Sequence, residues 1–319
     1  MELKANDGEE TVLLLLKNIY GLKDAGLTWF EHLSKGLSNL GFVPTASDPC
    51  VFIKGNDIIL MYVDDCVIIS RSEGDASKIF NDIKDQGFKL TDEGSMETYL
   101  GIQIDKDNKG GFAISQPFLI DRIVDSIQGM QEANPSKSPA STTTALTKDE
   151  NGEPRREKWN YRSVIGMLNY LVNCTQPEMA FAVHQCARFS NDPKHSHEQA
   201  VKRILRYLVY LRDSKSLGIK FSPDRQKSME IFVDASFAGD WNQAWSEEPS
   251  SVMSRTGYVI KYANCPIIWC SKLQTEIALS TTESEYIAFS QSLRDAIPLM
   301  TFLGAVSYTH LTLPTMRTV

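Results

Sequence analysis

At 319 residues, 42% hydrophobic and 23% charged, the chain has the composition of a folded globular protein with room for two or three cored domains, which excludes a disordered polymer. Its formal net charge of −7 argues against nonspecific nucleic-acid binding by the whole surface, though not against a local basic face. Six cysteines without C-x-x-C spacing read as reduced thiols of an intracellular protein, and the polar start MELKANDGEET lacks the order of a secretory signal.

In chain order, TVLLLLKNIYGLKDAG reads as a short apolar segment ending at a turn on Gly21, followed by a helix. Phe30, Leu33, Leu37 and Leu40 recur there at three- and four-residue steps, and Gly41 stops it. CVFIKGNDIILMYVDDCVIIS then reads as a meander of strands. Ser72 is the predicted N-cap of a second helix striped by Ala76, Ile79, Phe80 and Ile83. YLGIQI and GFAIS flank hairpin chemistry around Asn108–Gly111, and FLIDRIVDSI predicts a helix. Residues 131–160, rich in Pro, Ser, Thr and charge, are expected to be a linker. Helical patterns follow at Tyr161–Leu171 and Pro193–Leu211. From near Leu217 a second α/β unit is expected, with strands in SMEIFVDASFAG, TGYVIKY and PIIWCSK and one long helix in LSTTESEYIAFSQSLRDAIPLMTFL.

The run IILMYVDDCVIIS is the longest apolar stretch, yet Asp64 and Asp65 interrupt it well short of the roughly 20 residues of a membrane span. Burying two adjacent carboxylates costs desolvation and mutual repulsion. Three arrangements compensate: a solvated turn at a tight hairpin, an approaching basic side chain, or a divalent cation held by oxygen donors.

A second constellation lies downstream. Asp234 ends an apolar strand, and the long helix carries Glu283 and Glu285 near its start. A strand Asp facing a helix Glu can hold Mg²⁺ through few protein oxygens; equally, the Asp can start a turn and a Glu can cap the helix. Ser280-x-x-Glu283 and Thr282-x-x-Glu285 both fit a capping box. At roughly 100° per residue, Glu285 lies beside the stripe of Phe289, Leu293 and Ala296, which favours it modestly as the inward group. In KHSHEQAVKRILRYLVYLR, Lys202, Arg203 and Arg206 share a helix face that is either solvated or a nucleic-acid contact.

YVDD at Tyr62–Asp65, preceded by IYGLKDAGLTWFEHL and followed by ETYLGIQI, resembles the reverse transcriptase of Copia-type (Ty1/Copia) LTR retrotransposons. YRSVIGMLNYL, AVKRILRYL, SRTGYVI and ALSTTESEYIA resemble the connection and ribonuclease H regions of the same Pol polyprotein. The resemblance implies an α+β chain: partial palm and thumb (1–130), the linker (131–160), a helical connection (161–216) and a truncated ribonuclease H-like domain (217–305). It implies that Asp64 and Asp65 hold Mg²⁺ (or Mn²⁺) for templated DNA synthesis, with Tyr20, Gly21, Lys23 and Tyr62 near template and nucleotide. Asp234 and Glu285, with Glu283 beside them, match metal ligands for hydrolysis of the RNA strand. The implied partners are an RNA template, a DNA primer, an RNA–DNA hybrid, deoxynucleoside triphosphates and other parts of Pol, in a cytoplasmic particle and without a membrane. Lys202, Arg203 and Arg206 become a duplex-backbone contact.

The family also has a third palm aspartate upstream of YGLK and a further ribonuclease H aspartate beyond the long helix. Neither is recognised here, so this chain alone is expected to be inactive in polymerisation; the rival expectation is a non-catalytic remnant that binds nucleic acid or a partner. Residues 306–319, containing VSYTHLTLPT, resemble the translation of a library adaptor and are expected to pack poorly.

Overall fold

The computed structural model describes residues 17–19, 21–107, 110–141, 146–214, 217–224, 226–239, 241, 248–306 and the backbone of 315–318. Among the described residues, 17–93 with 301–306 and 94–300 with 315–318 form two compact units, and each is considered by itself.

The first unit alternates helix and antiparallel sheet. Helix α1 (Ala25–Asn39) buries Leu33 and Leu37, one turn apart, and Gly41 at φ 84° reverses the chain after it. Strands β1 (Val43–Pro44), β2 (Val51–Lys54), β3 (Asp57–Tyr62) and β4 (Asp65–Ile69) form a sheet in sequence order. Helix α2 (Glu73–Asp85) starts at Ser72, whose side chain accepts the N–H of Asp75, and buries Ile79 and Ile83. These residues close a core with Phe42, Phe52, Ile59, Met61 and Phe88. Gly36 is required by close approach: a Cβ there would meet Phe88 at 2.5 Å.

In the second unit, β5 (Thr98–Tyr99), β6 (Ile102–Lys106), β7 (Phe112–Ser115) and β8 (Gly218–Phe221) make one antiparallel sheet. Helices α3 (Pro117–Asp125), α4 (Tyr161–Cys174), α5 (Ala180–Ala187) and α6 (His195–Asp213) pack an apolar core whose centre includes Ile120, Leu168, Ile204 and Leu208. A further sheet has the order β11 (Cys265–Leu273), β10 (Arg255–Tyr262), β9 (Met229–Ser236), β12 (Thr315–Thr318), with α7 (Pro249–Val252) and α8 (Thr281–Val306) alongside in sequence. Met229, Ile231 and Val233 alternate into a core with Tyr258, Ile260, Ala288 and Ala296.

Three features depart from the expected organisation. Gly218–Phe221 joins β7 instead of the β9–β11 sheet, with Phe112 and Phe221 stacked at 4.7 Å; a Cβ on Gly218 would strike the Ile114 carbonyl at 1.8 Å. The supposed linker is a strap clasped to α6. The N–H of Ser136 donates to Arg206 O and that of His195 to Glu153 O, while Ala133, Ala140, Leu146 and Trp159 pack on the helical core. At the far end, the backbone of Thr315–Thr318 pairs in parallel with β9, where a poorly packed tail is expected; backbone pairing asks little of the side-chain sequence.

Candidate active site

The carboxylate pair stands at the tip of the β3–β4 hairpin. Ile59 and Met61 point into the core, and the alternation brings Tyr62 out to the surface. Tyr62 pairs with Asp65, so Val63 and Asp64 alone make the reversal. Two-residue reversals between twisted strands need positive φ, which suits Gly and Asn; here Val63 adopts φ 52°, a costly conformation for a β-branched residue. The Val63 carbonyl accepts a hydrogen bond from the indole N–H of Trp29 on α1 at 2.8 Å. The Trp29 ring is itself fixed edge-on against Phe88, with centroids 6.1 Å apart.

Asp64 and Asp65 are exposed, and among the described residues neither carboxylate takes a hydrogen bond or ion pair. Exposure removes the desolvation cost and leaves the mutual repulsion, which a hard divalent cation relieves through carboxylate oxygens. The donor chemistry therefore suits Mg²⁺ or Mn²⁺. No group of three His, Cys, Asp or Glu is arranged for a metal among the described residues. Gly21 and Lys23 lie exposed on the turn leading into α1, and Gly21 has φ 95°. Tyr20 lies outside the described residues.

At the second constellation the two glutamates differ. Ser280 Oγ accepts the N–H of Glu283 at 3.1 Å, and Glu283 Oε2 accepts the N–H of Leu279 at 2.7 Å. That is a capping box whose return arm reaches one residue past Ser280. Glu285, half-buried, instead turns to β9, where its Oε1 accepts the N–H of Ala235 at 3.4 Å. Asp234, the preceding residue, is exposed opposite Gly257 of β10.

The basic face of α6 is largely engaged with the strap. Lys202 pairs with Glu157, and Arg206 Nε donates to the Asn134 carbonyl at 3.1 Å. Arg203 is half-buried, its Nε enclosed without a hydrogen bond among the described residues. At the start of the same helix, Glu198 is fully buried and accepts the N–H groups of Arg156 at 2.9 Å and Glu157 at 3.1 Å, with His195 Nδ1 at 3.1 Å. Burial pushes its carboxyl up, but the Arg156 N–H, His195, the Glu157 N–H and Lys202 together hold it below the usual glutamate range. His197, also fully buried, accepts the Lys194 N–H through Nδ1 and donates through Nε2 to the Thr147 carbonyl, which fixes the neutral tautomer; burial holds its pKa down.

Trp29 and Val63 are the residues at this site that motif reading passes over. Two signals for them exist in the sequence: Trp29 lies one turn before Leu33 on the inward stripe of α1, and Val-Asp is poor chemistry for a two-residue reversal.

The first unit thus presents paired aspartates at the tip of a hairpin in an antiparallel sheet backed by helices. Residues 3–142 match the family described as reverse transcriptase (RNA-dependent DNA polymerase). The chain is 33% identical over 303 residues to the retrovirus-related Pol polyprotein from transposon TNT 1-94 of Nicotiana tabacum, covering 92% of this chain and 22% of that polyprotein. It is 30% identical over 305 residues to the Pol polyprotein from transposon RE2 of Arabidopsis thaliana, covering 93% and 20%. A foamy viral protease-reverse transcriptase solved in complex with dsDNA shares the fold at a TM-score of 0.50 and 15% identity, over 94% of this chain and 59% of that one. These matches support a fragment of a Copia-type retrotransposon Pol polyprotein, with the reverse-transcriptase family matched over residues 3–142. The chain spans about a fifth of the length of these relatives.

Proposed function

We propose that the Asp64–Asp65 hairpin is the metal-presenting turn of an RNA-directed DNA polymerase, acting within a longer Pol polypeptide on an RNA template, a DNA primer and deoxynucleoside triphosphates. The observation that carries this reading is the pair of adjacent, exposed carboxylates without partners among the described residues, set on a hairpin whose first strand packs Ile59 and Met61 into an apolar core. Phosphoryl transfer needs positioning and charge neutralisation more than covalent chemistry, and a bound Mg²⁺ or Mn²⁺ supplies the neutralisation. The chain's own part is to hold two oxygen donors at a fixed spacing; Gly21 and Lys23, on the approach to α1, line the route of template or nucleotide. In the same reading Asp234 and Glu285 form a ribonuclease H-like corner for the RNA strand of a hybrid, and Glu283 serves the helix start. The basic side chains of α6 contact duplex backbone once the strap yields them.

In this reading the pair needs a further ligand, and this chain by itself is expected to bind the cation without extending a primer. Mn²⁺ titration and RNA-templated primer extension with Mg²⁺, each run on the natural chain and on the Asp64→Asn, Asp65→Asn variant, test both halves. The expected result is saturable Mn²⁺ binding that disappears in the variant, and no extension by either. Equal Mn²⁺ binding by both proteins would overturn the role of the hairpin. Extension by the natural chain, lost in the variant, would overturn the need for a further ligand.

A further inference from the structure

The turn that carries the two aspartates is held in a conformation its own residues disfavour. Val63 sits at φ 52° and is exposed, with little side-chain burial to recompense the left-handed backbone, and Asp64 completes the reversal. Among the described residues, one hydrogen bond from outside the hairpin reaches this backbone: the Trp29 indole N–H on the Val63 carbonyl at 2.8 Å, bridging 34 positions in sequence. The donor is well anchored. Trp29 packs against the core of the first unit, edge-on to Phe88 and 6.4 Å from the His32 ring. A rigid donor aimed at the carbonyl before Asp64 fixes the orientation of the Val63–Asp64 peptide, and with it the direction in which the two carboxylates leave the hairpin.

We propose that Trp29 is a positioning residue for the carboxylate pair: its indole N–H locks the Val63 turn in the left-handed conformation that presents Asp64 and Asp65 together to a divalent cation. The proposal rests on the functional reading above for the cation, and on geometry alone for the turn. A Phe at position 29 keeps an aromatic ring against Phe88 and removes the donor, whereas Gly at position 63 reaches positive φ without steric cost.

The experiment compares the natural chain with Trp29→Phe, Trp29→Phe/Val63→Gly and Asp64→Asn/Asp65→Asn, with circular dichroism confirming a common fold. NMR gives the three-bond N–H to Hα coupling of Val63 and the exchange rate of the Trp29 indole proton; titration gives Mn²⁺ affinity. The expected results are a slowly exchanging indole proton in the natural chain and a Val63 coupling that moves toward the extended value in Trp29→Phe. Mn²⁺ affinity should fall about fivefold in Trp29→Phe, the worth of one neutral hydrogen bond, and return in the double variant with Val63→Gly. If Trp29 served packing alone, Val63→Gly would restore nothing, and that outcome overturns the proposal. An unchanged Val63 coupling and Mn²⁺ affinity in Trp29→Phe also overturn it, even while Asp64→Asn/Asp65→Asn abolishes binding and the functional reading stands. If all variants bind Mn²⁺ alike, the functional reading falls with the cation role of Trp29, and the Val63 coupling then decides the turn-locking claim.

Discussion

Two sets of carboxylates in this chain are opposites. Glu198 at the start of α6 is fully buried and saturated, holding two backbone N–H groups and His195, while Asp64 and Asp65 stand in solvent without a partner among the described residues. A buried carboxylate persists only when hydrogen bonds repay its desolvation, so its completeness marks a structural role. The hairpin pair has no such bonds among the described residues, and the proposed function assigns its free oxygens to a cation. In that reading, completeness of partners separates an acid that holds the fold from acids offered to a ligand.

The sharpest way to break this contrast is Glu198→Ala. It orphans the N–H groups of Arg156 and Glu157 inside the strap and is expected to destabilise the second unit by about 3 kcal/mol, read from the urea midpoint. Next in size is the effect of pH. His197 is depressed from its ordinary 6.5 in the folded state, so the unfolded chain takes up the proton first and stability falls as pH drops below that value. Glu198 is depressed from 4.5, so its contribution is present above 4.5 and is lost as pH falls through its folded value. Both losses run toward acid, and equilibrium unfolding between pH 7.5 and pH 3.5 should display them as a decline that steepens below 4.5. The smallest effect belongs to the other side: Asp64→Asn with Asp65→Asn is expected to leave the unfolding midpoint within about 0.5 kcal/mol in metal-free buffer, or to raise it slightly as the repulsion goes. A large loss there would place the hairpin acids among the structural ones.

The periodic elements were legible in the sequence because their cause is local. The stripe of Leu33 and Leu37, the Ser72 cap, and the alternation of Met229, Ile231 and Val233 all appear where spacing puts them. The choice between Glu283 and Glu285 was legible only as a tendency, since both fit a capping box; a single bond to the Ala235 N–H distinguishes them. Residues 131–160 read as a linker because their attachment runs through backbone groups and single side chains that leave no periodic trace. Glu198, His195 and His197 leave no periodic trace of their role, and their hydrogen bonds to the strap reveal them as the clasp. The membership of β8 was illegible for a related reason: four residues of strand do not say which of two sheets they complete. No described helix is long and apolar enough to cross a membrane, in keeping with the broken apolar run at Asp64–Asp65.

The pairing of β7 with β8 sets Ser115 opposite Gly218 and Phe112 opposite Phe221, so everything from α3 to α6 is an excursion that leaves and re-enters at one sheet edge. The contacts within each helix are near in sequence, whereas this pairing, the doorway of the excursion, closes a loop of about a hundred residues and is expected to form later than any single helix. The same doorway is where nature or an engineer could splice a shorter or longer bundle into the chain without disturbing the hairpin that bears Asp64 and Asp65.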